Sequence, residues 1–73
     1  MIKERDPNVV AFGIRLRELR LKTGMTQDQL SARTGLHRVT ISKLETGVGC
    51  TRMDSRWKLA EALNVEVAEL VDR

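Results

Sequence analysis

The chain has 73 residues, enough for one domain, and 41% of them are hydrophobic, enough for a small core. The single cysteine, Cys50, excludes an internal disulfide and favours a reducing compartment, so we expect a cytoplasmic protein. No apolar run reaches the roughly 18 residues of a membrane span, and residues 1–8 lack the apolar stretch of a signal peptide. One histidine and one cysteine give no metal-ligand set and no nucleophile-base pair, so we expect no enzyme, cofactor or metal.

Charge is spread unevenly along the chain, although the net charge is only +3. Residues 1–22 carry six basic and three acidic side chains, and residues 23–52 carry four and two. Residues 53–73 carry three basic and five acidic side chains. A basic region set apart from an acidic one is typical of a protein that turns one face toward an anion. A solvated surface with an acidic last helix explains the same pattern equally well.

Helix signals begin at Asp6-Pro7, a good N-cap followed by proline at the first helical position. Apolar residues then recur at helical spacing as far as Leu19, and Gly24 ends this first helix. No stretch of the sequence alternates clearly enough to predict a strand.

The segment "MTQDQL" (25–30) gives the strongest local signal of a helix start. Thr26 can cap the helix, and Gln29 at the third helical position completes a capping box. The first and last residues of the segment occupy the two positions of a hydrophobic staple. We therefore predict a second helix that runs to about Thr34, followed by Gly35 in a left-handed turn.

Three more helices are predicted after this turn. One lies between Gly35 and Gly47, one begins at a capping box on Thr51 and ends at Asn64, and a short one covers residues 67–71. With their short connections, the five helices predict an all-α, compact bundle.

The second and third helices are joined by about three residues that include Gly35, which is the signature of a helix-turn-helix over about residues 27–46. Ser31 is the small residue expected where the two helices touch. The apolar residues of this unit fall at the positions that would face the core: Leu30, Leu36, Ile41 and Leu44.

Three stretches make the chain resemble the lambda-repressor/Cro-type helix-turn-helix family, also called the XRE family. They are "IRLRELRLKTGMTQDQLSARTG" (14–35), "ISKLETG" (41–47) and "LAEALNVEVAEL" (59–70), and they span nearly the whole chain after about residue 8. The resemblance implies a single five-helix DNA-binding domain over residues 1–73. It also implies, more loosely, a homodimer that binds double-stranded DNA at a palindromic operator and represses transcription.

The resemblance assigns roles to two sets of side chains. Arginine and lysine donate to guanine, and valine packs on a thymine methyl. These chemistries suit the four residues that match positions facing the major groove: Arg38, Val39, Ser42 and Lys43. The alternative for Arg38 and Lys43 is a pair of solvated cations. The candidates for contact with backbone phosphate are Gln27, Thr40, Thr46, His37 and, in the loop beside this face, Arg52.

Several positions depart from the family pattern, among them Ser31 in place of the usual alanine and Thr51-Arg52 where Pro-Ser often begins the fourth helix. His37 lies where Ser or Thr usually caps the third helix, and because histidine is a poor cap we expect this helix start to fray or to rely on DNA. A surface histidine without a DNA contact is the alternative reading of His37. Arg56 takes a position that is usually apolar, and we expect its stem to lie on the edge of the core.

The resemblance also implies an ion pair between the first and third helices. The matching residues are Arg17 and Glu45, and we expect them to be partly buried and to fix the third helix against the first. Two solvated charges are the alternative. Trp57 lies on the apolar stripe of the fourth helix, and we expect it to pack in the core rather than to anchor a dimer.

The leading interpretation is therefore a sequence-specific DNA-binding regulator whose third helix enters the major groove. Its dimer would use the fourth and fifth helices and could be weak without DNA. Two alternatives stay open, namely a protein-interaction module of antitoxin-like or phage-encoded type, and a non-specific nucleic-acid binder.

Overall fold

The computed structural model describes residues 7–48 and 53–71, and within these ranges it contains five α-helices and no strand. The all-α prediction is confirmed. α1 packs against α3 and α5, and α2 packs against α3 and α4. None of the described helices is long and apolar enough to cross a membrane. The helices are α1 (Pro7–Lys22), α2 (Gln27–Thr34), α3 (Arg38–Glu45), α4 (Met53–Leu63) and α5 (Val67–Val71).

Within the described residues, one hydrophobic cluster joins the five helices. Each helix contributes one large side chain that is fully buried, so every helix has its apolar side fixed against the others. Burial of apolar surface at roughly 25 cal/mol per Å² is the main force that holds such a small domain together. These five residues are Leu16, Leu30, Ile41, Leu59 and Leu70.

The ends of α2 follow the predicted local signals. Thr26 Oγ1 accepts a hydrogen bond from the Gln29 N–H at 3.0 Å, and Gln29 Oε1 accepts one from the Thr26 N–H at 2.9 Å. This is the predicted capping box. Gly35 has φ 79°, and its N–H donates to the Ser31 carbonyl at 2.9 Å. The left-handed turn that separates α2 from α3 is therefore also confirmed.

The later helix ends agree with the sequence where the structure describes them. Asn64 has φ 58°, as predicted for the residue that ends α4. The predicted caps at Asp6 and Thr51 lie outside the described residues, as does Cys50.

The prediction that Trp57 packs in the core is wrong, because 65% of this residue is exposed. Leu59, Ala60 and Leu63 define the buried side of α4, and at 3.6 residues per turn Trp57 lies well away from it. Arg56 does lie on that side, as expected. Its Cζ is 5.9 Å from the centroid of the Phe12 ring, which is within reach of a cation–π contact.

A close approach between two helices is made at Gly13 of α1, which is buried against the last turn of α3. A Cβ atom at this position would collide with the main-chain carbonyl oxygen of Leu44 and lie 3.1 Å from the carbonyl carbon of Glu45. Neither neighbour is the movable end of a side chain. Glycine is therefore required for α3 to lie this near to α1.

We expect Gly13→Ala to lower the free energy of unfolding by about 1–3 kcal/mol, the usual cost of overpacking. The sign of this change in free energy is informative, because without the close contact alanine would stabilise the helix relative to glycine by roughly 0.5–1 kcal/mol. Urea denaturation followed by circular dichroism measures the change. Ile14→Ala is the control, since Ile14 is 54% exposed and should change the free energy by less than about 0.5 kcal/mol. An unchanged Gly13→Ala variant would contradict the close helix contact.

Candidate nucleic-acid interface

The exposed side of α3 gathers the residues that were predicted to contact bases. Ile41 and Leu44 are buried on the opposite side of the helix and hold it in the core. Val39 is 49% exposed, although it is a large apolar residue. A shallow groove on this side is lined by Arg38, Val39, Ser42, Lys43 and, from α2, Gln27. The structure therefore brings the four predicted base-contact residues together, while their contact with DNA stays a prediction.

Of the residues predicted to contact phosphate, Gln27 lines this groove. Thr40 is exposed on α3. Thr46 follows the last turn of α3, where its hydroxyl donates to the Ser42 carbonyl oxygen at 3.0 Å. Arg52 lies outside the described residues. The phosphate roles of these residues stay predictions.

His37 caps α3, so the expected fraying for lack of a cap is not what the structure shows. Its Nδ1 accepts a hydrogen bond from the Val39 N–H at 3.1 Å. An accepting Nδ1 carries no proton, so the proton of the neutral ring is on Nε2. The cap therefore leaves an N–H donor on the ring at the start of α3, which is the chemistry a phosphate oxygen requires.

A buried ion pair links α1 to α3, but its arginine is Arg20 and the prediction of Arg17 is wrong. Arg20 Nε lies 2.6 Å from Glu45 Oε2, and Nη2 lies 3.0 Å from Oε1. The two side chains are only 10% and 3% exposed, whereas Arg17 is exposed. Arg20 is two helical turns from Gly13 and so shares the side of α1 that meets α3, while Arg17 lies further round toward solvent.

The same two side chains also form hydrogen bonds with Gln27 at the start of α2 and with Met25 just before it. Glu45 Oε1 also accepts a hydrogen bond from Gln27 Nε2 at 3.0 Å, and Arg20 Nη1 donates to the Met25 carbonyl at 2.9 Å. Hydrogen bonding of the Arg20 side chain to the Glu45 carboxylate raises the pKa of Arg20 above its ordinary value, burial opposes this, and the charge of Glu45 adds to it. The Glu45 carboxylate holds the Gln27 amide beside α3, with a second N–H of the amide still available.

A second ion pair crosses the turn between α2 and α3. Arg38 Nε lies 3.2 Å from Asp28 Oδ1, and the side chains are 60% and 76% exposed. The sequence pattern indicates no role for Asp28. An acidic residue in the first turn of a helix is favourable to the helix by itself, so its spacing gave no sign of a partner in α3.

A profile of the helix-turn-helix family matches residues 16–70, which include all of this groove. The chain belongs to the XRE-type helix-turn-helix family. The family resemblance seen in the sequence is thereby confirmed, and membership makes the chain a DNA-binding regulator.

Several relatives cover most of the chain. It is 37% identical to the control protein C.BamHI of Bacillus amyloliquefaciens over 62 residues, which are 84% of this chain and 76% of that protein. It is 38% identical over 56 residues to an uncharacterised HTH-type transcriptional regulator of Archaeoglobus fulgidus, covering 77% and 80% of the two chains. The crystal structure of the restriction-modification controller protein C.AhdI from Aeromonas hydrophila superposes with a TM-score of 0.86 at 38% identity, covering 89% and 98%.

We expect Arg20→Ala to lower the free energy of unfolding by about 3–5 kcal/mol, because it leaves the Glu45 carboxylate buried without its partner. Arg17→Ala is the matched control on the same helix, and it should change the free energy of unfolding by less than about 0.5 kcal/mol. Chemical denaturation of both variants decides between the two arginines. A large loss of stability with Arg17→Ala and a small one with Arg20→Ala would instead support an ion pair between Arg17 and Glu45.

Proposed function

We propose that the protein is a sequence-specific transcription regulator that binds double-stranded DNA by inserting α3 into the major groove. One observation carries this proposal. The exposed side of α3 presents two cations, a hydroxyl and an apolar side chain in one groove, while its other side is fixed in the core. An α-helix about 10–12 Å wide fits a major groove about 12 Å wide. Recognition would be carried by Arg38, Val39, Ser42 and Lys43.

We further propose that the start of α2 contacts the DNA backbone. The first N–H groups of a helix have no partner within the helix, and together with the helix dipole they favour a phosphate. Gln27 lies at this end with its amide held by Glu45, so its remaining N–H is already in place. His37, Thr40, Thr46 and Arg52 are the further candidates for phosphate contact.

We infer that the protein acts as a homodimer joined through α4 and α5. Trp57 is 65% exposed, and together with Val65 and Val67 it lines a shallow and mainly apolar hollow between these helices. Burial of an exposed tryptophan in a second copy would explain this surface. The two recognition helices would then lie about 34 Å apart, one turn of duplex, and a dimer on an operator would repress transcription by excluding other proteins.

We propose that one helix-turn-helix domain spans residues 1–73, with its recognition unit over about 27–46. We place it in the cytoplasm, because a single cysteine fits a reducing compartment.

Selection of bound duplexes from a random DNA pool at physiological salt, followed by sequencing, tests the function. We expect enrichment of a palindrome whose half-sites are about 10–10.5 base pairs apart. A single enriched half-site would remove the dimer and keep the specific regulator. Binding without enrichment would indicate a non-specific nucleic-acid binder. A folded protein that retains no duplex would favour the protein-interaction module.

On the selected site, we expect Arg38→Ala to cost roughly 1–3 kcal/mol of binding free energy and to relax the preference at one base pair. Fluorescence anisotropy with the site and with single-base variants measures both effects. Arg33→Ala is the matched control, because Arg33 is an exposed arginine at the end of α2 beside a different hollow. Equal weakening on every sequence would make Arg38 a phosphate contact.

A further inference from the structure

We propose that Asp28 is a positioning residue for Arg38, and that it sharpens the choice of base pair made by Arg38. The proposal rests on the proposed DNA-binding function. Its starting point is the ion pair across the turn, in which Arg38 Nε lies 3.2 Å from Asp28 Oδ1. Asp28 itself needs no contact with DNA for this role.

Both members of the pair stand on helix starts that are fixed independently. Asp28 is in the first turn of α2, which the capping box of Thr26 and Gln29 secures. Arg38 is the first residue of α3, immediately after the His37 cap. The packing of α2 on α3 therefore brings the two residues together, and the charge of the carboxylate favours guanidinium positions beside the start of α2.

The contact uses the part of the guanidinium that base recognition does not need. The group has five N–H donors, one on Nε and four on the two terminal nitrogens. The Asp28 carboxylate lies beside Nε, and the residues that the structure describes provide no other partner for the Arg38 side chain. Nη1 and Nη2 remain for two parallel hydrogen bonds to O6 and N7 of a guanine. A side chain that is already oriented also loses less conformational freedom on binding.

The surroundings determine when the pair has an effect. The two side chains are 60% and 76% exposed, so the ion pair contributes little to the stability of the free protein, because water screens both charges. Contact with DNA removes water from the groove and strengthens the same attraction. A carboxylate near the phosphates also weakens binding to any sequence. Asp28 should therefore increase selectivity and lower non-specific affinity, which are effects of opposite sign.

Asp28→Asn tests the proposal, because it removes the charge and keeps the size of the side chain. We expect the preference for the base pair read by Arg38 to fall about five- to tenfold, a part of what a bidentate contact is worth. Affinity for a random duplex should be unchanged or higher, since a repulsive charge is lost. A partly unfolded variant would instead lose affinity for both duplexes, and denaturation of the variant checks this directly.

Glu18→Gln is the matched control. Glu18 is an exposed carboxylate that also pairs with an arginine, since its Oε1 lies 3.5 Å from Arg15 Nη1 on α1. It lies on a different helix from both members of the proposed pair. This variant should leave the base-pair preference unchanged. A matching fall in both variants would reduce the effect to net charge and overturn the proposal.

Repeating Asp28→Asn in an Arg38→Ala background decides whether Asp28 acts through Arg38. The loss of selectivity should then vanish, because the residue that Asp28 positions is absent. Persistence of the loss overturns the proposal, as does unchanged or increased selectivity in the single variant. If the unmodified protein selects no sequence, the proposed function fails together with this inference. If it does select one and only Asp28→Asn is without effect, the inference alone fails.

Discussion

The groove between α2 and α3 depends on the buried contact between Arg20 and Glu45. These charges lie on α1 and α3, and Glu45 also holds the side-chain amide of Gln27 on α2. Removal of two charges from water is costly, and a bidentate geometry with further hydrogen bonds is what makes it tolerable. Because the pair is satisfied only when all three helices are in register, it favours one arrangement of α2 and α3 over other ways of packing the same apolar residues.

The two sides of α3 differ: one is buried in the core, and the other carries the residues proposed to contact bases. Ile41 and Leu44 fix the inner side of the helix, and Gly13 lets its main chain approach α1. The outer side keeps an exposed valine and two cations, which a small monomer has no structural reason to place together. Gln27 and Asp28 border the same surface from the start of α2. The candidate interface is therefore formed by two helix starts and one helix side, each with its own means of support.

Much of the fold could be predicted because its determinants are local in sequence. The capping box at Thr26, the left-handed Gly35 and the apolar spacing of α3 each depend on residues within a turn or two. Errors arose where the partner is distant in sequence. The choice of Arg20 over Arg17 depends on the angle at which α1 crosses α3, and the exposure of Trp57 depends on which side of α4 the core occupies. The hydrophobic periodicity gives neither the crossing angle nor the buried side of α4. For the same reason it gives no sign of the contact between Asp28 and Arg38.

The close approach at Gly13 bears on how such a protein can diverge. The neighbours that exclude a side chain there are main-chain atoms of Leu44 and Glu45, which every amino-acid sequence possesses. The fit of α3 against α1 at this point is therefore indifferent to which side chains occupy the outer positions of α3. Those positions can change without repacking the interior, so the surface that α3 presents can vary on one stable scaffold. The same independence makes the outer side of α3 the natural place to begin an engineered library.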